Sequence, residues 1–166
     1  MITSIDFLCR HVFESRRPQP NEAAISIGDP DQETPAILAE YGGRALRAQF
    51  HDIEPGNCRK YGFDIHHCLS IELADQIAGF LRTIHASENK LDLIVHCEAG
   101  VSRSAAVALA AAAYAKCGRR ERDASCANNH VARLLGDALG VRVSIPQPLE
   151  IGADSPLVGL DGRPLW

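Results

Sequence analysis

Apolar positions fall in short blocks separated by proline, glycine and charged turns, and the period of each block predicts an element. Ile5, Leu8, Cys9, Val12 and Phe13 recur at helical spacing after Thr3 and Ser4, which predicts a short amphipathic helix ended by Pro18 and Pro20. "AAISIGDPD" reads as a short buried strand closed by a turn at Gly28–Pro30. In "RALRAQFHDIEPG", Ala45, Arg47 and Gln49 interleave with Leu46, Ala48 and Phe50, a second strand ended by Pro55 and Gly56. From Glu54 to Leu69 polarity is mixed and turn residues recur, so a long surface loop is expected, of the kind that often carries function.

Ser70 is placed as an N-cap with Glu72 in the first turn, and Ala74, Ile77, Ala78, Leu81 and Ile84 form an apolar stripe running to His85, predicting a helix. "LDLIVHC" holds a short apolar run bounded by charge on one side and suits a central parallel strand buried on both faces. Ser104 to Cys117 is rich in helix formers, with Gly118 expected as its C-terminal cap. A last helix is expected over roughly Ser125 to Leu139, followed by Gly140. Strands alternating with helices predict α/β architecture, a central and mostly parallel sheet of about four or five strands flanked by helices. Val141 to Trp166 holds Pro146, Pro148, Pro156 and Pro164 and is expected to be an irregular tail.

At 166 residues with 46% hydrophobic content, the chain suits a single domain over 1–166. A formal charge of −4 offers no general attraction to nucleic acid or anionic lipid. No apolar stretch approaches the roughly 18 residues of a membrane span. Asp6 and Arg10 interrupt the N-terminal apolar residues, unlike a secretory leader, so a cytoplasmic location is expected. Six cysteines with no C-x-x-C pair read as reduced thiols rather than a disulfide framework. His51, Cys58, His66, His67 and Cys68 superficially resemble metal ligands, but their spacings fit no standard zinc pattern, and no metal or cofactor is expected.

The chemistry concentrates in "LIVHCEAGVSRSAAVALAAAAYA", Leu93 to Ala115. A strand that ends in a loop of small residues and feeds a helix gathers backbone N–H groups and the positive end of the helix dipole around one point, where an oxyanion binds. Cys97 sits where the strand ends, so the same amides would favour its thiolate and make it a nucleophile. Gly100 permits a tight turn, Arg103 offers a planar fork for two phosphate oxygens, and Ser104 can donate a hydroxyl proton to the sulfur. His96 is expected to order the loop rather than to move protons, and Glu98 to be a solvated charge at the rim.

"HCEAGVSRS" resembles the H-C-x5-R-[ST] phosphate loop of the cysteine-based protein tyrosine and dual-specificity phosphatases. "ISIGDPD", "LRAQFHDIEPG" and "NNHVARLLGDALG" extend the resemblance, more weakly, to a compact bacterial group of tyrosine phosphatases over Ile2 to Gly140. The resemblance implies the cysteine-phosphatase fold, Cys97 as nucleophile, a phosphate cradle from Glu98, Ala99, Gly100, Val101, Ser102 and Arg103, and Ser104 as the supporting hydroxyl. It further implies hydrolysis of phosphotyrosine in a protein or peptide, possible dual specificity, and no metal. A general acid is needed upstream. Asp52, in "FHDIEPG", is favoured, and Asp64, in "YGFDIHH", is the alternative.

Other readings share some of these features. Phosphoinositide phosphatases of the superfamily tend to carry lysines in the loop, whereas "CEAGVSR" has a glutamate and none. A phosphatase for another small phosphate ester, and a pseudophosphatase that binds phosphate without turnover, are the remaining alternatives; intact Cys97 and Arg103 speak against the last. Rhodanese-like sulfur transfer also uses a loop cysteine but lacks the H-C…R-S frame.

Overall fold

The short apolar run that ends in His96 and Cys97 lies at the centre of the sheet. In the computed structural model, which describes residues 1–148, the elements follow in the order β1 (Ile2–Cys9), α1 (Arg10–Glu14), β2 (Glu22–Gly28), a 3₁₀ segment (Ala36–Arg44) and β3 (Ala45–Gln49). Then come α2 (Ile71–Ala86), β4 (Leu91–Cys97), α3 (Arg103–Ala115), β5 (Gly118–Arg119) and α4 (Asn129–Leu139). All strand pairs are parallel and the sheet order is β3-β2-β4-β1-β5, an α/β fold as the alternation of elements implied. Every connection must therefore cross over, and each strand points its C-terminal end at the same edge of the sheet.

Alternate residues of the strands face opposite layers. Ile5, Phe7, Ile25, Ile27, Leu93 and Val95 bury against α2, α3 and α4, whereas Leu8, Ala24 and Ile94 pack with Phe13, Leu38 and Tyr41 from α1 and the 3₁₀ segment. Cys97 belongs to the first layer. α2 buries Ala74, Ile77, Ala78, Leu81 and Ile84, the predicted stripe, and Ser70 Oγ accepts the Leu73 N–H at 3.2 Å as its cap. Each large aliphatic side chain in that stripe contributes on the order of 1.5–3 kcal/mol of burial. Five of the eight alanines of α3 are buried, and this helix lies close to β1 and β4.

Three expected boundaries are corrected. The N-terminal helix is instead strand β1 followed by the five-residue α1. Its apolar residues are buried on both faces between β4 and β5, and a doubly buried strand can imitate a 3.6-residue period. α3 ends at Ala115, with Lys116 rather than Gly118 in the left-handed conformation (φ 51°), because Gly118 and Arg119 pair with Ser4 and Ile5 as β5. α4 begins only at Asn129, since Asn128 caps it: its side chain accepts the Val131 N–H at 3.1 Å. Residues 141–148 carry no regular element; the rest of the tail expected from Val141 to Trp166 lies outside the described residues. No helix among the described residues is long and apolar enough to cross a membrane.

The loop between β3 and α2 is organised rather than slack. Three 3₁₀ turns (Pro55–Asn57, Arg59–Tyr61, Ile65–His67) surround a small core of Ile53, Cys58, Cys68 and Phe63, in which the two sulfurs lie 3.2 Å apart. Burial pushes the Cys68 thiol up to about 12, so it stays protonated.

Candidate active site

Residues 98–102 bridge the end of β4 and the start of α3, as the strand-loop-helix pattern implied. Gly100 is the turning point. Its φ of 73° favours glycine, and a Cβ there would overlap the backbone of Leu8 and Cys9. β1 is thus the wall against which the loop folds, and the Arg10 N–H donating to the Glu98 carbonyl at 3.1 Å fastens the two.

Cys97, 1% exposed, lies at the bottom of this loop. The Gly100 N–H donates to its Sγ at 3.3 Å, and Ser104 Oγ, fully buried, lies 3.1 Å from the sulfur. The amides of Ala99, Val101 and Ser102 have no acceptor among the described residues. Glu98, Ala99 and Val101 are exposed at the rim, with Glu98 Oε2 accepting from Gln32 Nε2 at 2.5 Å.

Arg103, the first residue of α3, is buried and oriented from one side. Its Nη1 donates to Asp29 Oδ1 at 2.7 Å and to the Phe50 carbonyl at 2.6 Å. Its Nε is buried without a hydrogen-bond partner, and Nη2 has no acceptor among the described residues. The guanidinium is therefore anchored through one nitrogen and presents its other edge, Nε and Nη2, as an unused fork. That fork has the geometry to hold two oxygens of one phosphate.

Of the two aspartates considered, the structure brings Asp52 to Arg103 and leaves Asp64 away from it. Asp52 Oδ1 accepts from Ser102 Oγ at 2.7 Å and from Asn128 Nδ2 at 2.9 Å, and its Oδ2 lies 3.9 Å from Arg103 Nε. Asp64 is exposed on the loop and caps the turn at Ile65–His67. Asp52, Asp29, His51, Ile53, Tyr61, Phe63 and Arg103 line one cavity of about 420 Å³. Cys97 does not line it; Arg103 is the loop's contribution to its wall. A larger cavity of about 670 Å³ lies between α4 and residues 141–148, away from these groups, and its lining includes none of them.

The histidines and cysteines that looked like metal ligands are dispersed. His51 packs against Phe63, with ring centroids 4.7 Å apart, Cys58 and Cys68 face each other in the loop core, and His66 is exposed. His96 is 1% exposed, stacks on Phe13 at 4.1 Å, and its Nε2 lies 2.7 Å from Ser26 Oγ. Burial holds its ring far below the usual histidine range, at about 4, so it is neutral at physiological pH.

Asp29, Asn128 and Ser26 were not singled out by the sequence. Asp29 lies in a turn that read as mere punctuation, and Asn128 sat inside an expected helix. Asp29 comes to the site because it follows β2 at the edge where Asp52 follows β3 and Cys97 ends β4, whereas Ser26 lies within β2 and Asn128 caps α4. Comparison of the chain with protein-family models and with curated proteins finds no match.

Proposed function

We propose that this chain is a protein tyrosine phosphatase that hydrolyses phosphomonoesters through a phosphocysteine, acting in the cytoplasm. The observation that carries the reading is the Nε/Nη2 edge of Arg103, without a hydrogen-bond partner while Nη1 is anchored by Asp29 and Phe50, six residues after a cysteine whose sulfur meets the Gly100 N–H and Ser104.

In this reading the substrate phosphate takes the Arg103 fork and the loop amides as donors to its equatorial oxygens. The Cys97 thiolate attacks phosphorus in line, the bond from phosphorus to the leaving oxygen breaks, and Asp52 delivers a proton to that oxygen. The ionised Asp52 then takes a proton from water as the water oxygen attacks phosphorus. The S–P bond breaks, and the Ser104 hydroxyl stabilises the departing thiolate. Tyr61, Phe63 and His51 provide aromatic walls on the cavity beside Arg103, which suit an aryl leaving group.

The test is hydrolysis of p-nitrophenyl phosphate and of a phosphotyrosyl peptide in the presence of a chelator. Activity inhibited by vanadate and abolished in Cys97→Ser is the expected result. Activity that survives Cys97→Ser overturns the reading.

A further inference from the structure

Beneath the phosphate loop, on the face of the sheet opposite Cys97, lies a guanidinium that the mechanism above does not use. Arg47, in the middle of β3, donates from Nη1 to Ser26 Oγ at 2.9 Å and from Nη2 to the Gln32 carbonyl at 3.0 Å. Among the described residues it forms no ion pair with a carboxylate. Gly28 leaves room for it, since a Cβ at that position would overlap Arg47 Nη2.

Proton bookkeeping gives this arrangement a direction. Arginine only donates, so Ser26 Oγ accepts from Arg47 and is left with one proton of its own. The partner for that proton is His96 Nε2, 2.7 Å away. With Ser26 donating, Nε2 carries the lone pair and a neutral ring places its proton on Nδ1. Nδ1 lies beside the Cys97 main chain, short of a well-formed hydrogen bond. The contact to Ser26 orients the ring that precedes the nucleophile.

The second arm of Arg47 reaches the other half of the site. Gln32, whose carbonyl it holds, closes the turn with Asp29: the Gln32 N–H donates to the Asp29 carbonyl at 3.0 Å and the Asp29 N–H to Gln32 Oε1 at 3.3 Å. Gln32 Nε2 also holds Glu98, the first residue of the phosphate loop. The side chain of Asp29 is the anchor of Arg103.

We propose that Arg47 is a positioning residue of this site, resting on the phosphatase reading. Through Ser26 it holds His96 as the Nδ1–H tautomer behind Cys97, and through Gln32 it holds the turn that sets Asp29 against Arg103. It touches neither substrate nor nucleophile. One half-buried cation therefore couples the placement of the thiol to that of the phosphate fork, two groups that must be in register for in-line attack.

The test reads the ring and the thiol directly. Nitrogen-15 NMR of the full-length protein is expected to show His96 neutral with its proton on Nδ1; a proton on Nε2 overturns the proposal without any variant. In Ser26→Ala, a near-isosteric change, the Nδ1–H signature is expected to be lost and the pH midpoint for iodoacetamide alkylation of Cys97 to rise. In Arg47→Met the midpoint is expected to rise too, with kcat falling by up to about a hundredfold. Folded variants with an alkylation profile and kcat like those of the unaltered protein overturn it. Failure of the phosphatase reading would show separately, as hydrolysis surviving Cys97→Ser, whereas the tautomer is read with no substrate present.

Discussion

At the scale of single residues the site depends on two positions with different sensitivities. Gly100 turns the loop at φ 73° against the backbone of β1. Gly100→Ala adds left-handed strain to a backbone clash, and a loss of about 2 kcal/mol or more in urea unfolding is expected, together with loss of phosphatase activity. His96 gives the protein a pH dependence whose sign follows from burial. Its folded value, about 4, lies below the ordinary value of 6.5, so the unfolded chain binds the proton more readily. Its contribution to stability is complete above about pH 6.5 and is lost as pH falls toward 4. Between pH 7 and pH 5 this amounts to roughly 2 kcal/mol. Urea titrations at the two pH values should show that loss, and His96→Asn should remove most of the difference; an equal difference in the variant would contradict the assignment.

At the scale of elements, two helix ends carry the testable strain and the least legible boundaries. α3 closes on Lys116 in the left-handed conformation. Lys116→Gly is expected to raise stability by about 1 kcal/mol, which calorimetry would register as about 2–4 °C in Tm. At α4, Asn128 serves two masters: Oδ1 caps the helix while Nδ2 steadies Asp52. Asn128→Ala should cost about 1 kcal/mol of stability and lower kcat. Asn128→Asp keeps the capping acceptor and places a second carboxylate against Asp52, so its kcat should fall further than that of the alanine variant. Both helices were legible in composition, but their ends were not. Gly118 looks like a cap until β5 claims it for pairing with β1, and Asn128 looks like helix interior until its side chain is seen to turn back on Val131. The N-terminal misreading has the same origin. The spacing of Ile5, Leu8 and Phe13 fits a helix, and only the neighbours β4 and β5 make it a strand covered on both faces.

At the scale of the molecule, the parallel sheet explains why distant residues meet. β4 lies between β2 and β1, strands that precede it in sequence, and ligands in such sheets bind beyond the strand ends where the connections diverge. Cys97, Asp29, Asp52 and Arg10 all lie at or just after the C-terminal end of a strand. What was legible in the sequence was whatever is local: the strand, loop and helix from Leu91 to Ala115 bring His96, Cys97, Gly100, Arg103 and Ser104 together within a few residues. Asp52 was legible as a strand-end carboxylate and favoured over Asp64, but its nearness to Arg103 and Asn128 was not. Asp29, Ser26 and Arg47 were not legible, because parallel register rather than sequence spacing sets Ser26 beside both His96 and Arg47. The cationic groups Arg10, Arg47 and Arg103 likewise gather near one loop in a chain whose net charge is −4. The most direct measurement is rapid quenching in alkaline denaturant during turnover of a radiolabelled aryl phosphate, followed by mapping of the label. The account predicts alkali-stable, acid-labile phosphate on the Cys97 peptide, accumulating further in Asp52→Ala with an activated aryl phosphate, whose leaving group departs without a proton while hydrolysis of the intermediate is slowed. Turnover with no label on Cys97, and undiminished in Cys97→Ser, would contradict it.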